Sequence, residues 1–157
     1  MFFKYLGFTM EKNMSHICEA VLVTCEDFRL HQRADGRNYT AEFMRGLNMD
    51  CDLITRGGCI QDIVRPQLGF DNSLLRDLGV SVKLHDIKTI YLIGHEDCGA
   101  YGDFNFTERK IEFQQHFEDL EEAKEIIHAE FPTVEVKKYF AELEPGTVDR
   151  FIYKEVK

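Results

Sequence analysis

Two continuous apolar segments constrain the fold of this chain more than any other feature. The first is EAVLVTC over residues 19–25, and the second is IKTIYLI over residues 87–93. Runs of this kind, without an alternation of polar residues, are typical of strands buried on both faces in a parallel sheet that is covered by helices. Each run leads directly into a short polar peptide. The sequence therefore predicts that both peptides lie at carboxyl ends of strands, where α/β sheets bind their ligands.

The segments between and after these runs predict helices that alternate with further strands. Helices are expected over residues 38–47, over 72–84 with Asn72 as the N-cap, and over 108–130, where Pro132 follows. Further strands are expected over residues 52–55, 134–143 and 148–156, the last two joined by a Glu144-Pro145-Gly146 turn. This order predicts an α/β domain with a mostly parallel central sheet and an antiparallel edge. We divide the chain into an N-terminal arm, residues 1–18, and a single domain, residues 19–157.

Composition and charge exclude several classes of function. The net charge of −9 argues against nucleic acid or an anionic membrane as a partner, because phosphate contacts need clustered Lys and Arg. No apolar run approaches the roughly 18 residues of a membrane span, and we find no signal-peptide pattern. The five cysteines are an odd number and widely spaced, which is typical of a reducing compartment rather than of a disulfide framework. We therefore expect a cytoplasmic protein.

The two polar peptides carry side chains that bind metals well. They read CEDFR over residues 25–29 and GHEDCG over residues 94–99. Together Cys25, His95 and Cys98 offer two thiolates and one imidazole, a donor set suited to Zn²⁺. Three protein ligands leave the fourth tetrahedral position open, as in catalytic zinc sites. The competing interpretation is that the cysteines are small buried hydrophobic residues and that no metal binds.

Asp27 and Arg29 follow Cys25 at two-residue spacing, which places side chains on the same side of an extended segment. Asp27 could accept a hydrogen bond from zinc-bound hydroxide and orient it toward a substrate. Asp27 could instead take the fourth position on the metal and close the site. Arg29 could hold the Asp27 carboxylate away from the metal through a bidentate pair. An ion pair without any catalytic role is the simpler alternative.

With these motifs described, the chain resembles the β-class carbonic anhydrases, whose motifs are C-x-D-x-R and H-x-x-C. The peptide DLITRGG over residues 52–58 also resembles a strand and loop of that family. The resemblance implies four parallel strands plus one antiparallel edge strand, flanked by helices. It further implies that the site residues are the zinc ligands Cys25, His95 and Cys98 and the catalytic pair Asp27 and Arg29.

The activity that this resemblance implies is the zinc-dependent, reversible hydration of CO₂ to bicarbonate and a proton by zinc-bound hydroxide. The enzyme would be a lyase with a small-molecule substrate, working as a homodimer or a dimer of dimers with the site near the dimer interface. Two alternatives stay open: hydrolysis of carbonyl sulfide or carbon disulfide on the same zinc, and a non-catalytic zinc-binding protein. The chain departs from the family pattern at Phe28, where the family has Ser, and at Gly57-Gly58-Cys59, where the family has Asn-Ala-Gly.

Several other side chains have two interpretations each. His31 is either a proton shuttle or an exposed loop residue. Cys59 is a fourth ligand, a redox-sensitive thiol or a plain buried residue. Asp97 either supports the site by a hydrogen bond or caps its loop, and Tyr101 either lines the pocket or only packs. Histidines within helical patterns are expected on the surface, namely His85, His116 and His128.

Overall fold

The computed structural model describes residues 16–68 and 73–157. Most of the predicted N-terminal arm and the predicted N-cap Asn72 lie outside these described residues. The elements follow one another as β1 (Ala20–Cys25), α1 (Tyr39–Leu47), β2 (Cys51–Arg56), α2 (Gln61–Val64), α3 (Ser73–Leu84), β3 (Thr89–His95), α4 (Arg109–Glu130), β4 (Glu135–Leu143) and β5 (Phe151–Val156). Short 3₁₀ helices over Phe28–Leu30 and Gly99–Phe104 follow β1 and β3. Helix α2 and these 3₁₀ helices were not predicted, because segments of three to six residues carry no helical periodicity.

The described strands form a five-stranded sheet in the order β2-β1-β3-β4-β5. Strand β1 pairs in parallel with β2 and β3, β3 pairs in parallel with β4, and β5 is the antiparallel edge. The predicted α/β fold with four parallel strands and an antiparallel edge strand is therefore confirmed. The chain passes from β1 to one neighbour and then crosses to the other, so the strand order reverses between β1 and β3. Open α/β sheets form their ligand crevice at such a reversal.

Strands β1 and β3 are buried along their whole length, as their apolar sequences predict. Alternate side chains point to opposite faces of the sheet, and both faces are covered. One face packs against α2, α3 and α4 through Val21, Val23, Ile90, Leu92, Ile63, Leu74, Leu78 and Leu120. The other face packs against α1 through Ala20, Leu22, Tyr91, Ile93, Phe43, Met44 and Leu47.

Both ends of helix α1 are defined by residues next to the helix in sequence. The Asn38 side chain accepts a hydrogen bond from the backbone N–H of Ala41 at 2.8 Å, which caps the first turn. The helix ends at Asn48, whose φ of 52° is left-handed. None of the helices in the described part of the chain is long and apolar enough to cross a membrane.

The buried face of α4 differs from the predicted one. Ile111, in the first turn of the helix, is 46% exposed. His116, expected on the surface, is 2% exposed, and its ring centroid lies 3.9 Å from that of Tyr101. His116 precedes Leu120 by one helical turn and therefore shares its buried face. Of the other two histidines expected on the surface, His128 is exposed and His85 is half-buried.

Strand β3 is packed most closely against its neighbours at Gly94. A Cβ at Gly94 would lie 3.2 Å from Cδ2 of Phe140 and 3.6 Å from Nδ1 of His116. We expect Gly94→Ala to lower the free energy of unfolding by about 1–3 kcal/mol through overpacking. Gly46→Ala is the matched control: Gly46 lies in α1 with nothing within 4 Å of a new Cβ, so the substitution should stabilise the protein by about 0.4–1 kcal/mol. Urea denaturation measures both, and equal effects would contradict the close packing at Gly94.

The burial of His116 predicts a particular dependence of stability on pH. Burial lowers the pKa of His116 from 6.5 to about 3. Below pH 6.5 the unfolded chain binds a proton at this residue, and the native protein does not until about pH 3. The contribution of His116 is therefore complete above pH 6.5 and is lost at up to about 1.4 kcal/mol per pH unit as the pH falls.

We expect His116→Gln to flatten the slope of unfolding free energy against pH between about pH 6 and 4 by roughly one proton. His128→Gln, on the exposed face of the same helix, should leave that slope unchanged. Urea titrations of metal-free protein at each pH measure the slopes. If His116→Gln and the parent protein have the same slope, the low pKa of His116 is wrong.

Candidate metal centre

Cys25, His95 and Cys98 meet at the carboxyl ends of two neighbouring strands. Cys25 is the last residue of β1, His95 is the last residue of β3, and Cys98 immediately precedes the 3₁₀ helix Gly99–Phe104. All three are buried, and one ligand atom from each lies within 4.8 Å of the others. Because β1 and β3 are hydrogen-bonded neighbours where the strand order reverses, the sheet itself sets the distance between the two motifs.

The two thiols are spaced as zinc would space them. Their Sγ atoms lie 3.8 Å apart, and two Zn–S bonds of about 2.3 Å at a tetrahedral angle give roughly the same separation. Without a metal, the pair shares a proton. A hydrogen bond from the Cys98 thiol lowers the pKa of Cys25, and the neighbouring Cys25 thiolate raises the pKa of Cys98. A divalent cation would remove this conflict, because it favours both thiolates at once.

The His95 ring is held in the orientation that a metal ligand needs. Its Nδ1 lies 2.9 Å from the backbone carbonyl of Glu96, so Nδ1 carries the proton and donates it. The other nitrogen, Nε2, is then an acceptor, and it is buried with no hydrogen-bond partner among the residues that the structure describes. A buried acceptor without a partner is costly unless something binds it. The observed arrangement therefore fits a metal ion on Nε2.

The loop between His95 and Cys98 is anchored by a buried carboxylate that the sequence did not identify. Glu96 accepts hydrogen bonds from Nε of Arg109 at 2.5 Å and from the backbone N–H of Leu143 at 2.8 Å. The loop is thereby tied to the start of α4 and to the end of β4. Its position between the two ligands was the signal for such a role, but glutamate is so commonly exposed that the signal is weak.

Asp27 and Arg29 form the bidentate pair that their spacing predicted. Arg29 donates to the Asp27 carboxylate from Nε at 3.1 Å and from a terminal nitrogen at 2.8 Å, and its backbone N–H donates to Oδ1 at 2.9 Å. Burial raises the pKa of Asp27, but the hydrogen bonds from Arg29 outweigh it, so the pKa lies below its ordinary value. Oδ2 of Asp27 is 3.9 Å from Nε2 of His95, which places the carboxylate beside the three candidate ligands.

The other donors of Arg29 are also occupied. One terminal nitrogen donates to the Asp97 carboxylate at 2.8 Å and to the Val148 carbonyl at 3.1 Å, and the other donates to the Asp97 carbonyl at 2.8 Å. Of the two interpretations of Asp97, the structure supports a contact with the site. Arg29 thus joins the first motif to the second and to the segment before β5, and its guanidinium has little freedom to turn away.

The structure also places three further residues that lie near the two motifs in sequence or in space. His31 is half-buried, and its Nε2 lies 2.7 Å from the backbone carbonyl of Cys25, so it is not an exposed loop residue. Cys59 is buried and its Sγ donates to the Val23 carbonyl at 3.4 Å; it does not join the three grouped ligand atoms. Phe28 is 71% exposed, with the Arg33 guanidinium 5.5 Å from its ring centroid.

A second buried carboxylate supports the turn that follows Cys98. Asp119, on α4, accepts hydrogen bonds from the Tyr101 hydroxyl at 2.7 Å, from Gln115 at 2.9 Å and from Arg65. Burial raises the pKa of Asp119, but these donors more than offset it and lower the pKa overall. Tyr101 therefore both packs and makes a hydrogen bond. The sequence signal was the position of Asp119 directly before Leu120, on the apolar side of the helix.

Comparison with known proteins identifies the family. A family model described as "Putative carbonic anhydrase" matches residues 15–148. The chain belongs to this carbonic anhydrase family. The family resemblance predicted from the two motifs is thereby confirmed.

The chain is also similar to individual proteins. It is 29% identical over 137 residues to an uncharacterized protein of Rickettsia bellii, covering 83% of this chain and 79% of the relative. It is 26% identical over 137 residues to an uncharacterized protein of Rickettsia conorii, covering 83% of this chain and 70% of that relative. Two solved structures are similar. A carbonic anhydrase from Glaciozyma antarctica has 18% identity and a TM-score of 0.48, and the match covers 85% of this chain and 80% of that one. The β-carbonic anhydrase CcaA has 14% identity and a TM-score of 0.48, and the match covers 87% of this chain and 84% of that one.

The contacts of Asp119 predict a large cost for its removal. Asp119→Ala leaves the Arg65 guanidinium and the Tyr101 hydroxyl without their acceptor, and we expect a loss of about 3–5 kcal/mol in the free energy of unfolding. Tyr101→Phe removes one donor alone and should cost about 1–3 kcal/mol. Glu118→Ala, at the exposed neighbouring position, should cost less than about 0.5 kcal/mol. Urea denaturation measures all three, and an Asp119→Ala effect no larger than that of Glu118→Ala would show that the network does not stabilise the fold.

Proposed function

We propose that this chain binds Zn²⁺ through Cys25, His95 and Cys98 and catalyses the reversible hydration of CO₂ to bicarbonate and a proton. One observation carries the proposal: the three ligand atoms converge within 4.8 Å, directly beside an intact Asp27–Arg29 pair. A structural zinc site would need no such pair. When bound, zinc would lower the pKa of a water molecule toward neutrality and so supply a nucleophile.

The charge and lining of the centre suit an uncharged substrate. The thiolates of Cys25 and Cys98 balance the charge of the metal, so the site gains no net charge that would favour an anionic substrate over CO₂. Ile60, Tyr101 and Leu120 pack around the ligands with mainly apolar surface. An uncharged linear molecule without hydrogen-bond donors can lie against such a surface without leaving polar groups unpaired. Its release as a charged bicarbonate is favoured by the same surroundings.

Asp27 is the residue that we expect to orient the attacking oxygen. Its lowered pKa keeps the carboxylate ionised, so the carboxylate can only accept a hydrogen bond. An attacking oxygen that donates its hydrogen to Asp27 directs a lone pair at the carbon of CO₂. The product proton leaves for the solvent or a buffer base.

Arg29 acts on the reaction through Asp27. The alternative in which Asp27 becomes a fourth zinc ligand requires the carboxylate to leave its hydrogen bonds with Arg29. Arg29 cannot easily follow, because Asp97 and Val148 hold its other nitrogens. Of the two arrangements, the contacts favour the one in which the fourth position stays open to water.

We extend the proposal to a homodimer, or a dimer of dimers, as the family resemblance implies, and to a cytoplasmic location. In support of an interface near the centre, Phe28 and Val148 are exposed apolar residues, one next to Arg29 in sequence and the other in contact with it. In support of the location, all five cysteines are free. Light scattering coupled to gel filtration tests the first extension, and a monomer at all concentrations would contradict it.

Stopped-flow measurement of CO₂ hydration on zinc-loaded protein between about pH 6.5 and 9 tests the reaction. We expect Asp27→Asn to keep its zinc and its fold and to lower kcat about 10²- to 10⁴-fold, because the attacking oxygen is no longer oriented. Cys98→Ser should lose both zinc and activity. Asp35→Asn is the matched control: Asp35 pairs with Arg37 at the same two-residue spacing, with 2.6 Å between the charged atoms, and should leave kcat unchanged.

The same samples distinguish the alternatives. No CO₂ hydration by protein with its zinc fully bound would contradict the proposed reaction. Release of sulfide from carbon disulfide or carbonyl sulfide by that protein would then show a hydrolase on the same zinc. No reaction with any of the three substrates would show a non-catalytic zinc-binding protein.

A further inference from the structure

A second group of metal-ligating side chains meets at the opposite end of the sheet. Cys18 lies two residues before β1, Asp52 is in β2, and His85 follows α3. One ligand atom from each lies within 4.8 Å of the others, and all three residues are half-buried. Since β1 has six residues, this group is on the order of 20 Å from Cys25. It is therefore separate from the metal centre described above.

The backbone brings these residues together independently of their side chains. The N–H of Cys18 donates to the carbonyl of His85 at 3.2 Å. Asp52 is paired in register with Val21 of β1. Glu19 accepts a hydrogen bond from the N–H of Lys88 at 2.9 Å, which fixes the chain after His85 to the start of β1. The backbone positions of Cys18 and His85 are thus fixed by backbone hydrogen bonds, and that of Asp52 by strand pairing.

The side chains are oriented toward one another as well. Nδ1 of His85 lies 2.6 Å from Oδ2 of Asp52. The Cys18 thiol donates a hydrogen bond to the Ala20 carbonyl at 3.4 Å and lies within 4.8 Å of a ligand atom of each of the other two residues. Tetrahedral zinc holds sulfur, nitrogen and oxygen ligands roughly 3.2–3.7 Å apart. Shifts of about 1 Å or less would therefore bring this group to the geometry of a zinc site. Half-buried side chains have room for shifts of that size.

The donor set and its charge match zinc. A thiolate, a carboxylate and a neutral imidazole are all zinc ligands, and the two negative charges would balance Zn²⁺. We propose that Cys18, Asp52 and His85 form a second zinc site, which fastens the start of β1 to β2 and to the end of α3. Water completes the coordination, since the half-buried position leaves one side open. With one thiolate where the first centre has two, this site binds zinc more weakly and fills second.

Zinc content of the full-length protein, dialysed against buffered free Zn²⁺ and measured by elemental analysis, tests this proposal. We expect two zinc ions per chain in the parent protein and one in Cys18→Ser and in His85→Gln, with a loss of affinity at the second site of at least about 100-fold. Cys98→Ser should also bind one, and Cys18→Ser combined with Cys98→Ser should bind none. The matched control is Cys51→Ser, at a half-buried thiol next to Asp52 that is outside the group, and it should bind two.

A spectroscopic measurement separates direct ligation from a general effect on folding. Co²⁺ bound to Cys98→Ser protein should give a thiolate-to-cobalt charge-transfer band that Cys18→Ser removes and His85→Gln weakens. Circular dichroism of the metal-free variants shows whether each one folds. If Cys18→Ser fails to fold, His85→Gln decides, because the proposal requires it to lose one zinc while keeping its fold.

The outcomes distinguish this proposal from the proposed function. One zinc per chain in the parent that Cys98→Ser removes would overturn the second site and leave the first intact. Two zinc ions in both Cys18→Ser and His85→Gln would also overturn the second site. One zinc that Cys18→Ser removes and Cys98→Ser retains would support the second site and contradict the metal centre on which the proposed function rests.

Discussion

The parallel pairing of β1 with β3 is the constraint on which the rest of the structure depends. Both strands are buried along their whole length, so hydrophobic burial on two faces fixes their register. The pairing occurs where the strand order reverses, so the loops after the two strands diverge and leave a crevice between them. The strand ends Cys25 and His95 face that crevice. The candidate metal centre is therefore a consequence of core packing, and two of its three candidate ligands, Cys25 and His95, end rigid strands.

Ion pairs between arginine and carboxylate side chains fix the loops that follow β1 and β3. Arg29 connects the first motif to the second through Asp27 and Asp97. Arg109 holds Glu96, within the loop between His95 and Cys98. Each is a multiple, charge-assisted contact of arginine with carboxylate, which fixes direction as well as distance. Such pairs add little to stability where they are exposed, and their role here is to orient the loops.

The two ends of the sheet carry different sets of metal-ligating side chains. The carboxyl ends carry two thiolates and an imidazole beside a pair that can orient a reactant. The amino ends carry one cysteine, one histidine and one aspartate. In parallel strands the residues entering the sheet are brought together as reliably as those leaving it, because the same register governs both ends. Under our two proposals, the sheet holds a reactive site at the carboxyl ends of its strands and a second zinc site at their amino ends.

The sequence by itself indicated the fold class, the ends of most elements and the side chains that could bind a metal. These are local properties: an uninterrupted apolar run predicts a buried strand, and a cysteine or histidine at its end is visible in the same few residues. Helix α1 was predicted to within one residue for the same reason, because Tyr39, Phe43 and Leu47 recur at four-residue spacing within the helix itself.

Only the tertiary structure decided which polar residues are buried and which distant ligands meet. Glu96 and Asp119 lie inside the protein because Arg109 and Arg65 reach them from other elements. Cys18, Asp52 and His85 share no motif, and strand pairing together with the backbone hydrogen bond between Cys18 and His85 brings them together. The physical reason is that burying a polar group is unfavourable without a partner. That partner is supplied by the folded chain as a whole, and no local pattern in the sequence reveals it.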